Sequence, residues 1–210
     1  MSRDAILASI RSALGRETGT AVPEPPPARL ILPQMTREEQ VPRFLSALEA
    51  LNAEAFDAPS PEAAISHVTA LLDGRLAVAS NAPLLAELGI CSMPGVLSGV
   101  MDLATLRAEC ETRPIGITSA DYALADTGTL VMLSSLDEAR LVSLLPPIHL
   151  ALVPRDRLLS GLDELFSIVP RPAELSSSMV LITGPSRTAD IEQILVRGVH
   201  GPGEVHVVLI

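Results

Sequence analysis

The sequence predicts an α/β fold with a mostly parallel sheet covered by helices on both faces. Three observations carry this reading. The strands appear as continuous apolar runs, LAVAS (76–80), MVLIT (179–183) and VHVVLI (205–210) among them, rather than as alternating apolar and polar residues. Helical stretches of about ten residues separate many of these runs. Hydrophobic residues make up 48% of the 210 residues but aromatic ones only 2%, so a large core is available and must be built from Ala, Val, Leu and Ile.

The chain opens with a helix. In SRDAILASIRSALG, residues Ile6, Leu7, Ile10 and Leu14 fall on one helical face, Ser2 caps the start and Gly15 closes the end. The next stretch holds Pro23, Pro25, Pro26, Pro27 and Pro33, so an extended tether is expected. Residues 1–36 thus form a helix on a Pro-rich tether and residues 37–210 the main domain. A short helix on such a tether must bury its apolar stripe against its own domain, another copy or a partner. Helices are expected over 37–51 and 61–72, a strand over 76–80, and helices over 82–89 and 102–110. Strands come next, over 114–118, 129–135 and 148–154. A helix over 155–169, a strand over 179–183, a helix over 189–198 and a final strand over 205–210 complete the chain.

Composition excludes several kinds of chemistry. Fifteen basic residues against 25 acidic ones give a net charge of −10, which argues against nucleic acid and against an anionic membrane surface. All fifteen are arginine, which rules out a Schiff-base lysine and a phosphate-loop lysine. Cys91 and Cys110 fall short of the about four ligands an iron–sulfur cluster needs. They are expected to be buried thiols, with a disulfide the alternative. The four histidines lack ligand spacing, so no metal is expected. No signal-peptide pattern and no uncharged run of about 18 residues is seen, so a protein without a membrane span, located in the cytoplasm, is expected.

Ligands of parallel sheets bind outside the carboxyl ends of the strands. The tips of 76–80, 114–118 and 179–183 are therefore expected to line the site. They deliver Ser80-Asn81, Thr118-Ser119-Ala120-Asp121 and Gly184-Pro185-Ser186-Arg187. The last of these reads as a turn opening a helix, where free N–H groups and Arg187 would hold a carboxylate or phosphate. The alternative is a capped helix with a solvated arginine. In ADTGTL, Thr127-Gly128-Thr129 would offer N–H groups to an oxyanion beside Asp126, with Asp126 and Thr127 the candidate catalytic pair. The alternative is a turn in which Asp and Thr satisfy local backbone groups. Arg140, Ser143 and His149 are the chemically capable residues of DEARLVSLLPPIHLALVP. His149 is expected to be a core histidine, and His200 to lie far from the strand tips.

Taken together, ADTGTLVMLSS, ARLVSLLPPIHLALVP, GPSRTADIEQILVRGVHGP and the terminal VHVVLI resemble the LUD-domain family, and within it the lactate utilisation protein C group. The resemblance covers about residues 40–210. It implies a three-layer Rossmann-like sandwich similar to the sugar-phosphate isomerases and coenzyme A transferases. It also implies a role in oxidising L-lactate to pyruvate beside partner subunits that carry iron–sulfur clusters, with no cofactor bound by this chain alone. Ser186, Arg187 and Asp190 match family motif positions. Gly184, Gly128, Thr129 and Arg140 complete the candidate anion-binding set. Many relatives have Glu before Thr-Gly-Thr; Asp126 is shorter, which weakens an analogy with a transferase glutamate nucleophile. Three functions stay open: a subunit of a lactate-oxidising complex that binds a small carboxylate or phosphate, a self-sufficient transferase or isomerase using Asp126, and a non-catalytic sensing or scaffold domain. A homo-oligomer is compatible with each.

Overall fold

The computed structural model describes residues 2–16, 35–189 and 195–210. The chain divides into two units, Met1–Leu32 and Pro33–Ile210. The first contains helix α1 (Arg3–Ala13), whose N-terminus is capped by Ser2 Oγ accepting from the Ala5 N–H. Gly15 comes after it at φ +60°, the left-handed conformation that closes a helix. The proline-rich stretch expected to be extended, and Asp190, lie outside the described residues.

In the second unit six strands form a wholly parallel sheet. Their order is β1 (Glu54–Asp57), β12 (Glu204–Leu209), β7 (Ile148–Val153), β4 (Ile115–Ser119), β2 (Ala77–Ala79) and β3 (Val96–Leu97). This is the α/β sheet that the continuous apolar runs predict. β7, in the middle, is buried over its whole length.

One face is covered by α3 (Pro61–Leu72) and α4 (Pro83–Glu87), which put Val68, Leu72 and Leu85 against Ile115, Ile117, Leu150 and Val208. The opposite face is covered by α2 (Arg37–Ala50), with Phe44 and Leu48 packed among Ala151, Val153, Val207 and Leu209. Thr36 and Glu39 form a capping box at the start of α2. Further along this face, Cys110 of α5 (Leu103–Thr112) and Val142 meet Val78.

A second, four-stranded sheet has the order β8 (Leu158–Leu159), β5 (Tyr122–Leu124), β6 (Thr129–Leu133) and β9 (Met179–Ile182). It corrects the expectation that 129–135 and 179–183 belong to the parallel sheet, since β6 pairs antiparallel with both β5 and β9. The reason lies in the connection. A parallel crossover takes about a dozen residues or more, and only residues 120–128 separate β4 from β6. The chain spends them on β5 and a tight turn instead.

Two helices are also corrected. Over 155–169 only α6 (Leu162–Ile168) is an α-helix, because Leu158–Leu159 pairs with β5. Of the helix expected over 189–198, residues 190–194 lie outside the described residues, and on either side of them stand β10 (Arg187–Ala189) and β11 (Leu195–Arg197), an antiparallel pair. Their outer ends are tied together: the Ser186 N–H donates to Pro202 O at 2.8 Å and the Gly198 N–H to Ser186 O at 3.1 Å. Gly198, at φ +76°, turns the chain back rather than ending a helix. The short strands β1, β3, β5 and β8 have no counterpart in the sequence reading.

Gly116, near the amino end of β4, decides how closely the segment after β6 packs on the sheet. In the register of the sheet it lies between Val78 and His149. A Cβ there would stand 2.0 Å from the carbonyl oxygen of Val142, in the 3₁₀ turn Arg140–Ser143. Only a bare backbone lets this turn lie directly on β4. Gly116→Ala is therefore expected to lower Tm by about 3–10 °C, from an overpacking cost of ~1–3 kcal/mol. Gly201→Ala, whose Cβ meets nothing closer than 3.6 Å, is expected to change Tm by less than about 2 °C. Thermal unfolding of both variants checks this; equal Tm values would contradict it.

Candidate functional site at the carboxyl edge of the sheet

From β2 the chain moves outward to β3, whereas from β4 it moves the other way, to β7 and then β12. Strand order thus reverses between β2 and β4, and such a switch point leaves a crevice at the carboxyl ends. Four segments meet there: Ala82–Leu84 beyond β2, Ser119–Tyr122 from the end of β4, Leu133 to Glu138 from the end of β6, and Pro154 and Arg157 beyond β7. They enclose a cleft of about 330 Å³.

Glu138 bridges the two strand tips. Its Oε2 accepts from Ser80 Oγ at 2.7 Å and, less closely, from the Ser119 N–H at 3.4 Å. The side chain is only 7% exposed and its Oε1 is buried with no hydrogen-bond partner. Its backbone is fixed as well. Ser135 Oγ accepts from the N–H groups of Asp137 and Glu138, and Asp137 O accepts from the Asn81 N–H at 2.8 Å. Burial pushes the Glu138 carboxyl up to about 8, aided by Asp121 and Asp137 and opposed by the bonds from Ser80 and Ser119. At neutral pH Glu138 is therefore largely a neutral acid.

Asp121 also lines the cleft, its Oδ2 accepting from the Leu133 N–H at 2.6 Å. Burial raises its carboxyl as well, against the pull of that bond and of Arg157. The Arg157 guanidinium stands 5.6 Å from the centre of the Tyr122 ring. Behind the cleft, Thr118 Oγ1 and His149 Nε2 share a hydrogen bond of 2.8 Å. His149 is fully buried, as expected of a core histidine, and burial pushes it down to about 4, so it is neutral.

Of the strand tips expected to line the site, that of β4 does so through Ser119, Ala120 and Asp121, whereas Ser80-Asn81 of the β2 tip does not line the cleft and reaches it only through its bonds to Glu138 and Asp137. β9 lies in the second sheet, so Gly184–Arg187 is not at this edge. The Asp126 turn lies at the far end of the β5–β6 hairpin, roughly 15 Å of extended chain beyond Asp121. There the two motifs do come together, around the C-terminal end of α2. Thr127 Oγ1 donates to Asp126 Oδ1 at 3.1 Å, and hydroxyl contacts run on from Thr127 to Thr129 at 2.8 Å and from Thr129 to Thr183 at 2.9 Å.

Gly128 and Gly184 are both in the left-handed region, at φ +68° and +77°. A Cβ on Gly128 would stand 3.0 Å from the Leu48 backbone nitrogen, and one on Gly184 3.0 Å from Leu51 Cβ. The Arg187 guanidinium donates to Leu51 O at the C-cap of α2, a favourable place for a cation. The Ser186 N–H, expected to face an anion, is held by Pro202 O. These residues dock α2.

Arg140 is exposed, its carbonyl accepting from Ser143 Oγ at 3.1 Å. His200 lines a separate cleft of about 860 Å³ with Pro147 and Ile148, beside the amino end of β7, as its expected distance from the tips requires. Among the described residues no group of three or more His, Cys, Asp or Glu is placed to hold a metal ion. Cys91 and Cys110 are free thiols. No helix among the described residues is long and apolar enough to cross a membrane.

Glu138 has no place in the sequence reading. The signal was one of two adjacent acids in SSLDEAR, which looks like a solvated turn until the chain is laid on the sheet.

The LUD domain family profile matches residues 41–210. Over 98 residues the chain is 44% identical to lactate utilization protein C of Halalkalibacterium halodurans, and over 106 residues 38% identical to that of Bacillus subtilis. These stretches cover 45% and 49% of this chain but only 43% and 44% of those relatives. With lactate utilization protein C of Oceanobacillus iheyensis the match is 25% identical and spans 100% of this chain and 98% of the relative. A crystal structure of a DUF162 family protein from Deinococcus radiodurans superposes with a TM-score of 0.68 at 22% identity, covering 83% of this chain and 98% of that one. This likeness speaks for the fold alone.

Glu138 also carries a stability prediction. Its carboxyl titrates near 8 in the fold and in the usual range, about 4.3, when unfolded. Between these values the folded state holds the extra proton, so this group makes stability fall as pH rises from about 4.3 to about 8. Glu138→Gln removes that dependence. At pH 8 the variant is expected to melt a few degrees above the wild type, and near pH 4 the difference is expected to vanish. Melting curves across this range test it; a variant less stable than wild type at pH 8 would contradict it.

Proposed function

Because the chain belongs to the LUD domain family, we propose that it is a component of a lactate-utilisation system, acting beside iron–sulfur subunits and holding a small carboxylate in the cleft at Glu138. The observation that carries this reading is the match with a lactate utilization protein C that runs over nearly the whole of both chains. Converting lactate to pyruvate releases two electrons. Two cysteines are too few to carry a cluster unaided, so the electrons pass to partners in this reading. The apolar stripe of α1 is the contact we assign to those partners. The self-sufficient transferase reading places chemistry at Asp126, whose carboxylate sits against Gly161 and is hydrogen-bonded to Thr127 at the hairpin end. Nothing at that end favours it over the cleft.

Deleting the gene in its native cell is expected to abolish growth on L-lactate while leaving growth on pyruvate intact, with the wild-type gene restoring it. Undiminished growth of the deletion strain on L-lactate would overturn the proposal. A restored strain expressing only residues 37–210 is expected to grow at less than half the wild-type rate on L-lactate, because the partner contact through α1 is gone; growth at the full rate would free α1 of that role.

A further inference from the structure

The outer edge of β9 is open to another strand. We propose that β9 pairs antiparallel with β9 of a second copy of this chain, so that two four-stranded sheets become one of eight.

A strand at a sheet edge carries a row of backbone groups without partners, and folded proteins blunt such edges with short strands, charge, proline or cover. The parallel sheet ends in β1 and β3. β1 has exposed Glu54 and Asp57 among its four residues, and β3 is only two residues long. In the second sheet β8 is likewise two residues long. β9 differs from all three. It has four residues, Met179–Ile182, and from Leu175 to Ser186 the chain has no charged residue and no proline before Pro185. Among the described residues β9 pairs with β6 alone.

The register shows which backbone groups face outward. Along an antiparallel pair, hydrogen-bonded and non-bonded positions alternate. The Ser134 N–H donates to Ser178 O at 2.9 Å, one position beyond the Leu133–Met179 pair. Val180 and Ile182 are therefore the residues of β9 bonded to β6, and Met179 and Leu181 direct their N–H and C=O groups away from it. The other side of β6 agrees: the Leu133 N–H and Val131 O both bond to Asp121, toward β5. Two donors and two acceptors are thus left on the outer edge of β9, spaced as a partner strand requires. The Leu181 side chain adds an apolar contact. It stands opposite Val131, on the face that α6 covers through Leu165, yet it is 41% exposed. Leu175, just before the strand, and Phe166 of α6 are exposed as well.

Charge and symmetry select the occupant. With a net charge of −10, two copies repel where their charged surfaces meet, and an uncharged strand lets them approach. Antiparallel pairing about a two-fold axis is isologous: the outward N–H groups of each copy meet the outward C=O groups of the other, so one surface serves both. A strand of a different protein would satisfy the same backbone groups, but β9 has no charged side chain with which to select one.

The test is sedimentation velocity of the full chain over a concentration series. At about 100 μM, above the micromolar Kd of a small interface, the wild type is expected at twice the chain mass of 22.1 kDa, falling toward 22.1 kDa on dilution. Leu181→Lys, which sets two like charges against each other in the paired sheet, is expected to be monomeric throughout with an unchanged circular dichroism spectrum. Ala55→Lys on the β1 edge and Ile10→Glu in α1 are expected to keep the dimer. A wild type that is monomeric at about 100 μM overturns the proposal, whether or not it binds another protein through β9. So does a dimer that survives Leu181→Lys or is lost in Ile10→Glu. If Leu181→Lys fails to fold, hydrogen exchange of the wild type decides. Dilution from dimer to monomer is expected to speed exchange of the Met179 and Leu181 N–H groups about tenfold or more, while those of Val180 and Ile182, bonded to β6, stay protected. A dimer in which the Met179 and Leu181 amides exchange as fast as in the monomer is joined elsewhere, and overturns the assignment.

Discussion

The contact of the Arg140–Ser143 turn with bare backbone at Gly116, toward the amino end of β4, is the constraint that holds the segment between β6 and β7 on the sheet. The turn lies so close to β4 that no side chain fits between them. It is this approach that brings the preceding residues, Ser135–Glu138, over the ends of β2 and β4. There Glu138 can reach Ser80 and Ser119 at once. The same approach buries His149, the register neighbour of Gly116, and leaves Thr118 as its hydrogen-bond partner. One missing methyl group thus lets the chain between β6 and β7 lie directly on β4, the strand whose far end holds Ser119 and the cleft.

A second constraint works from the other side of the molecule. The end of α2 is received by two left-handed glycines, Gly128 and Gly184, from strands that are distant in sequence but joined through Thr129 and Thr183. Arg187 closes the arrangement at the helix C-cap. The motif-rich stretches of the sequence are therefore occupied with seating a helix on two sheets. Such seating leaves the same imprint as a binding loop, namely glycine beside hydroxyl and charged residues, because both demand close approach to backbone and satisfied polar atoms.

These two constraints account for how much could be read from the sequence. The parallel sheet was legible because its strands are buried on both faces, so 76–80, 114–118, 148–154 and 205–210 carry an unbroken apolar signature that needs no knowledge of partners. The second sheet was not, because 129–135 and 179–183 carry the same signature and differ only in how much chain precedes them. The helix expected over 189–198 failed for a related reason: local composition favours a helix, whereas the bonds joining Ser186 to Pro202 and Gly198 decide the outcome and are not local. At the site, Ser80, Ser119 and Asp121 were legible from strand polarity alone. Glu138 was not, since its burial depends on a turn pressed against a glycine in a different strand. Asp126 and Arg187 stood out for real backbone demands, but the partner making those demands is α2.

The order of strands in the sheet also bears on how the chain is made. Among the described residues β1 pairs only with β12, and β12 inserts between β1 and β7 rather than adding to an edge. On the ribosome, residues 54–57 emerge early and have no strand to join until residues 204–209 are synthesised. The cost of closing so long a loop is met only when β12 enters and buries Val205, Val207, Val208 and Leu209 together. Until that moment β7, apolar but for His149, presents an open edge to solvent. Closure of the parallel sheet therefore waits on β12, the strand that joins its earliest element to its centre.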